Sequence, residues 1–112
     1  MAAYVELYMD QGATFNNVIN LTDDVTNTYV NVSGYTVRSQ MRRSYYSANA
    51  TANIVCTITD AANGEITMSL GASNTASIKA GRYLFDLETV DTIGKTSRVL
   101  EGIITVTPEI TR

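Results

Sequence analysis

The sequence predicts an all-β domain, a sandwich or small barrel of about seven short strands. Three observations lead there. Apolar side chains recur with a period of two, the spacing of a strand with one buried face. Clusters of Gly, Asn, Asp and Ser separate the alternating runs. No run keeps a helical period for three turns, and the 112 residues are enough for one domain without a linker or an internal repeat.

The runs follow one another in order. Tyr4 to Tyr8 puts Tyr4, Glu6 and Tyr8 on one side and Val5 on the other, and Asp10-Gln11-Gly12 closes it as a turn. Phe15 to Leu21 is a second run, in which Phe15, Ile19 and Leu21 are in phase and Asn17 interrupts. Residues 22–34, rich in Thr, Asn and Asp, read as a long connection with a short edge strand around Tyr29 to Val32. Tyr35 to Met41 is the clearest amphipathic strand. Tyr35, Val37, Ser39 and Met41 share its dry face, and Thr36, Arg38, Gln40 and Arg42 share its wet one. Ser44 to Asn53 reads as a polar loop carrying Tyr45 and Tyr46.

Ile54 to Thr59 and Glu65 to Leu70 are alternating runs joined by a segment that ends in Asn63-Gly64, the strongest hairpin signal in the chain. Ile54, Cys56 and Ile58 point inward on the first, and Ile66, Met68 and Leu70 on the second. Residues 71–81 leave room for a single helical turn at Ser73 to Ile78. Arg82 to Val90 has Tyr83, Phe85 and Leu87 inside and Leu84, Asp86 and Glu88 outside. After the connection Asp91 to Lys95, the last run is Thr96 to Val106. Gly102 within it signals a bulge or a close backbone approach, and Pro108 ends the pairing.

The composition excludes most chemistry. There is no His and only one Cys, so triads, thiol catalysis and most zinc or copper sites are ruled out, as is an intrachain disulfide. Cys56, in an apolar run, reads as a small core hydrophobe. Neither a glycine-rich phosphate loop nor a calcium-loop signature occurs. Asp86 and Glu88 share a strand face roughly 6 to 7 Å apart, a separation a glycosidase pair could use. No aromatic neighbour on that face would raise either pKa, so they read as solvated carboxylates. Asp23-Asp24 reads as a solvated turn rather than a cation site. No enzyme, cofactor, metal or small-molecule substrate is expected.

Net charge is −3 and the charged fraction is 17%, below the usual ~25%, with Thr, Ser and Asn making up the difference. Nucleic acid is not an expected partner, because no dense basic stripe exists; Arg38, Arg42 and Arg43 read as a strand face. No membrane partner is expected either, as no apolar run is long enough to span one. The N-terminus has no basic, apolar leader, so synthesis and folding in a cytoplasm are expected. A polar but weakly charged surface can be desolvated against another protein at modest cost. Seven tyrosines and no tryptophan fit such contacts. Tyr45-Tyr46 beside Arg42-Arg43 is one candidate patch, rich in residue types that dominate binding hot spots. The termini are others, through Tyr4 and Tyr8 at the start and Pro108, Ile110 and Arg112 at the end, since terminal strands can extend a neighbour's sheet. A carbohydrate-binding module is the alternative, with Tyr29, Tyr45 and Tyr46 as its platform.

Five ordered segments carry a resemblance. They are Asp10-Gln11-Gly12-Ala13-Thr14-Phe15, the stretch from Val32-Ser33-Gly34-Tyr35 through Arg42, the hairpin from Asp60 through Leu70, Ala80-Gly81-Arg82-Tyr83-Leu84-Phe85-Asp86-Leu87-Glu88, and the closing run from Arg98 through Pro108-Glu109-Ile110-Thr111-Arg112. Together they resemble small structural proteins of tailed phages, including the immunoglobulin-like domain at the start of baseplate upper proteins. The resemblance implies a single immunoglobulin-like antiparallel sandwich over residues 1–112. It also implies a virion subunit of the tail, baseplate or neck, or a capsid decoration protein, with other virion proteins and copies of itself as partners. Larger relatives carry a longer chain after this domain, so a stand-alone adaptor or decoration subunit is the expectation here.

Overall fold

The computed structural model describes residues 3–23 and 28–110. Its strands are β1 (Ala3–Asp10), β2 (Phe15–Asn20), β3 (Thr22–Asp23), β4 (Thr28–Tyr29), β5 (Thr36–Arg42), β6 (Ala52–Asp60), β7 (Glu65–Leu70), β8 (Gly81–Val90) and β9 (Thr96–Thr107). One short helix, α1 (Ala72–Ala76), bridges β7 and β8. The main strands are hydrogen-bonded in the order β1-β9-β8-β5-β6-β7-β2. All those pairs are antiparallel except β1 on β9, which is parallel.

Strand β6 is the corner of this ribbon. Its first residues, Ala52 to Ile54, pair with β5, and Val55 onward pairs with β7. The ribbon thus folds into two layers, β1-β9-β8-β5 and β6-β7-β2, with the core between them. This is an immunoglobulin-like β-sandwich of seven principal strands. The core is one cluster that includes Met9, Met41, Ile66, Met68, Leu87 and Ile104, each essentially without solvent contact. Each such side chain contributes on the order of 1.5–3 kcal/mol of transfer free energy.

The alternation fixed these faces. Tyr83, Phe85 and Leu87 are buried, as are Leu100, Ile104 and Val106. Several boundaries move. β5 begins at Thr36 rather than Tyr35, and β6 begins at Ala52 inside the expected loop. The edge strand expected around Tyr29 to Val32 is only the two-residue β4, paired with β3. Beyond it, Val32 donates its N–H to the Ala61 carbonyl (2.9 Å) and is wholly buried. The Asn63-Gly64 hairpin is a 3-10 turn over Ala61–Asn63, with Gly64 alone in the left-handed region. The helical turn lies at Ala72–Ala76 and serves as a clasp. The buried Thr75 hydroxyl accepts the Gly12 N–H (3.1 Å) and donates to the Ala13 carbonyl (2.8 Å), tying the β1–β2 turn to α1.

Gly102 is a point of close approach, not the bulge. It pairs with Val5, and a Cβ there would collide with the Val5 carbonyl oxygen. The bulge lies just before it. Leu87 pairs with Leu100 but Glu88 pairs with Arg98, which leaves Val99 as the extra residue. Without the bulge, Arg98 would share the inward phase of Leu100. With it, Arg98 turns outward and reaches Asp86 (3.3 Å) and Glu101 (3.2 Å).

Candidate interaction surface

The outer face of the β1-β9-β8-β5 layer collects several of the candidate residues into one surface. Cross-strand register sets its rows. Tyr8 lies beside Thr105, which lies beside Arg82. The next row runs Glu6, Ile103, Leu84, Arg42. The next runs Tyr4, Glu101, Asp86, Gln40. The last pairs Glu88 with both Arg98 and Arg38. Tyr4 and Tyr8 are exposed, whereas Ile103 and Leu84 between the polar rows are half-buried.

Tyr45 joins this face from the β5–β6 loop. Arg42 donates to the Ser47 carbonyl (2.9 Å) and to Gln40 (3.0 Å), bracing the loop against the sheet. Inside the loop the Ser47 N–H reaches the Ser44 carbonyl (3.2 Å), and the Tyr46 N–H reaches the Ser44 hydroxyl (3.3 Å). The result is a shallow groove lined by Tyr45, Arg42, Leu84, Asp86, Arg98 and Glu101. Partial loss of solvation, then the charge of Glu6, raises the Tyr4 phenol above its ordinary pKa. Arg82 opposes that shift and Tyr45 adds to it, so Tyr4, Arg82 and Tyr45 are electrostatic neighbours across β1, β8 and the loop.

The structure separates what sequence adjacency had grouped. Arg43 has the phase of Met41, not of Arg42, so it turns to the other side of β5. Its guanidinium stacks over the buried Tyr83 ring, 5.1 Å from the centroid, and caps the end of the core. Arg43 is therefore set apart from Arg42, and it remains exposed. Tyr46 is 96% exposed and does not line the groove. The expected trio of Tyr29, Tyr45 and Tyr46 is not assembled. Tyr29 stands on the β3–β4 hairpin, whose flanks bond the β6–β7 turn through Leu21 to Gly64 and Val32 to Ala61. That turn lies at the far end of β6 from Tyr45, roughly 30 Å of strand away.

At the C-terminal end Pro108 and Ile110 are exposed, and Ile110 is 94% so. The segment between them is anchored. Gln11 donates its N–H to the Thr107 carbonyl (3.0 Å) and accepts the Glu109 N–H on its side chain (3.1 Å). Arg112 lies outside the described residues, as do Asp24 and the side chain of Asp23.

Asp86 and Glu88 share the outer face as expected, and arginines occupy both. Arg38 reaches Glu88 at 2.8 Å and Arg98 reaches Asp86. Partial burial, then the Glu88 charge, raises the Asp86 pKa, and Arg98 only partly offsets them. Among the described residues no group of three His, Cys, Asp or Glu side chains could hold a metal ion, and no helix is long and apolar enough to cross a membrane. Burial pushes the Cys56 thiol up to about 11, far from a reactive thiolate. Sequence reading missed Leu84, Ile103 and Arg82 as surface partners, because strand order, which periodicity does not encode, is what brings them beside Tyr8 and Tyr45.

No protein-family model and no curated protein sequence matches the chain. Solved structures do. CopC from Methylosinus trichosporium OB3b superposes with a TM-score of 0.51 at 10% identity, over 95% of this chain and 89% of that one. A Listeria monocytogenes internalin-like protein gives 0.50 at 20% identity, over 95% of this chain and 28% of that one. Murine CRIg gives 0.43 at 9% identity, over 93% and 92%. At these identities the first two share a fold with this chain, and nothing of their activity carries over.

Proposed function

We propose that this domain is a non-enzymatic structural subunit of a tailed-phage particle, a tail, baseplate or neck adaptor, that works by protein–protein contact. The observation that carries the contact reading is the outer face of β1-β9-β8-β5. There Tyr4, Tyr8 and Tyr45 surround the aliphatic pair Leu84 and Ile103, and Arg42 and Arg82 flank them. Aromatic and Arg anchors around an apolar centre, rimmed by polar groups, are the makeup of a protein-binding patch. The virion assignment rests on the ordered sequence resemblance. The separation of Tyr29 from Tyr45 weighs against a glycan platform.

Cross-linking mass spectrometry on purified particles tests the reading. The chain should be present and linked to other virion proteins, and its absence from particles overturns the assignment. Tyr45→Ala and Ile103→Lys should leave the circular-dichroism spectrum and melting temperature of the isolated domain nearly unchanged. Each should lower incorporation about tenfold, the loss expected of a hot-spot side chain. Normal incorporation of both variants would move the contact elsewhere, first to the tail. Removing residues 108–112 then reports on the tail separately.

A further inference from the structure

A second surface, on the other layer, is built for a different contact. Strand β2 ends the order β1-β9-β8-β5-β6-β7-β2, and it pairs only with β7. Among the described residues no strand, loop or turn hydrogen bond covers its free side. In an antiparallel strand alternate residues direct both N–H and C=O away from the partner, so half of the Phe15–Asn20 backbone groups face outward unpaired by a strand. Protein edges of this kind usually carry a guard: a Lys, a Pro, a bulge or an inward charge. β2 has none. Phe15-Asn16-Asn17-Val18-Ile19-Asn20 contains no charge and no Pro, and its register with β7 is unbroken.

The side chains then indicate what can sit there. Asn16, Val18 and Asn20 point outward, and Val18 is 52% exposed. Two antiparallel copies of β2 centred on Val18 set Val18 against Val18 and Asn16 against Asn20. Apolar meets apolar, amide meets amide, and within the strand pair itself no like charges stand opposite each other. Of the outer residues next to β2 on β7, Thr67 and Ser69 are neutral, and Glu65, beside Asn20, is a carboxylate that accepts the Thr59 hydroxyl. The other open edge, β1, exposes Glu6 and ends at Asp10, so it offers no such self-match.

We infer that two copies of this chain pair through their β2 edges about a two-fold axis at Val18, joining two β6-β7-β2 layers into one continuous sheet. The contact is isologous: the same five residues, 16–20, serve both copies. An edge this short buries less than a standard interface, so the dimer forms reversibly and with modest affinity. Tyr45 lies on the opposite layer, while Glu6, Tyr8 and Asp10 of β1 line a cleft with Phe15, Asn16 and Asn17 of β2.

Sedimentation equilibrium over a concentration series up to about 1 mM tests the inference. At that concentration even a millimolar dissociation constant leaves about half of the chains paired. The wild-type chain should show a concentration-dependent dimer, and a strict monomer throughout overturns the proposal. Val18→Lys and Val18→Glu, each on an already exposed position, should both be monomeric, with unchanged melting temperatures. An equimolar mixture of the two should recover a heterodimer, because the axis then sets Lys against Glu. A dimer that survives Val18→Lys places the contact somewhere other than β2, and a mixture that stays monomeric overturns the two-fold axis at Val18. Tyr45→Ala should dimerise as the wild type does, and loss of the dimer in that variant would assign it to the first face instead.

Discussion

The two outer faces of the sandwich have opposite chemistry. On β1-β9-β8-β5, carboxylates and guanidiniums alternate across strands. Arg38 is held by Glu88, and Arg98 by Asp86 and Glu101. On β6-β7-β2 the rows read Val55, Ser69, Asn16 and then Thr57, Thr67, Val18. The Thr59 and Thr67 hydroxyls there bond each other (3.2 Å), and Thr59 donates to the Glu65 carboxylate (2.8 Å). Exposed ion pairs contribute little stability, about 0–1 kcal/mol each, so the charged face is not there to hold the fold. What fixed charges provide is orientation and discrimination against wrong neighbours. The second face is sparsely charged, with Glu65 at one end of β7, and its β2 strand itself carries no charge. The two proposed contacts thus differ in kind: the charged layer is proposed for a different partner, and the β2 edge for a copy of the chain.

The largest expected effect tests whether the charged layer depends on one close contact. Gly102→Val would drive side-chain atoms into the Val5 carbonyl and force β1 off β9. We expect a loss of 4 kcal/mol or more, at the upper end for single substitutions, read as a shift in the urea midpoint. Tyr4, Glu6 and Tyr8 would leave the face with β1. Gly102→Val that unfolds at the wild-type midpoint would show β1 to be dispensable.

A paired measurement on β7 sharpens the inside–outside contrast of the sparsely charged layer. Met68 is fully buried and its neighbour Thr67 faces out. Met68→Ala should cost about 2–5 kcal/mol through lost packing and a residual cavity. Thr67→Ala should stay within about 0.5 kcal/mol, as surface changes do. Equal effects would mean that the hydroxyl ladder outside is as important as the core inside.

Periodicity reached the strands and their inward faces because burial acts on every second residue, whatever the strand pairs with. Tyr83, Phe85 and Leu87 could be read as core from spacing alone, and so could Ile66 and Met68. The surface was harder to read. Arg42 and Arg43 are adjacent in sequence but lie on opposite sides of β5, which the phase of Met41 already implied. Arg98 could not have been placed, because its outward turn depends on a bulge at Val99. Leu84 and Ile103 look like ordinary out-of-phase aliphatics until the order β1-β9-β8-β5 puts them between Tyr8 and Tyr45. The absence of a guard on β2 was visible in its residues, but that it was an edge was not.

The smallest effect concerns the charge balance of the first face. Burial and the neighbouring Glu88 and Glu101 raise the Asp86 pKa despite Arg98 at 3.3 Å. A carboxyl whose pKa is higher in the folded state than in the unfolded chain binds its proton more tightly when folded. Its contribution to stability is then greatest at low pH and falls as pH rises from the ordinary carboxylate value through the folded one. At neutral pH the ionised Asp86 is therefore a mild liability. Asp86→Asn, which keeps the shape and removes the charge, should raise neutral-pH stability by well under 1 kcal/mol, since solvent screens a group this exposed. The gain should vanish at a pH below the ordinary carboxylate range, where the wild-type carboxyl is itself neutral. Urea titrations of both proteins at the two pH values measure it. If Asp86→Asn instead destabilises the domain at neutral pH, the bond to Arg98 outweighs the repulsion, and the charged face contributes to holding the fold as well as to choosing its neighbour.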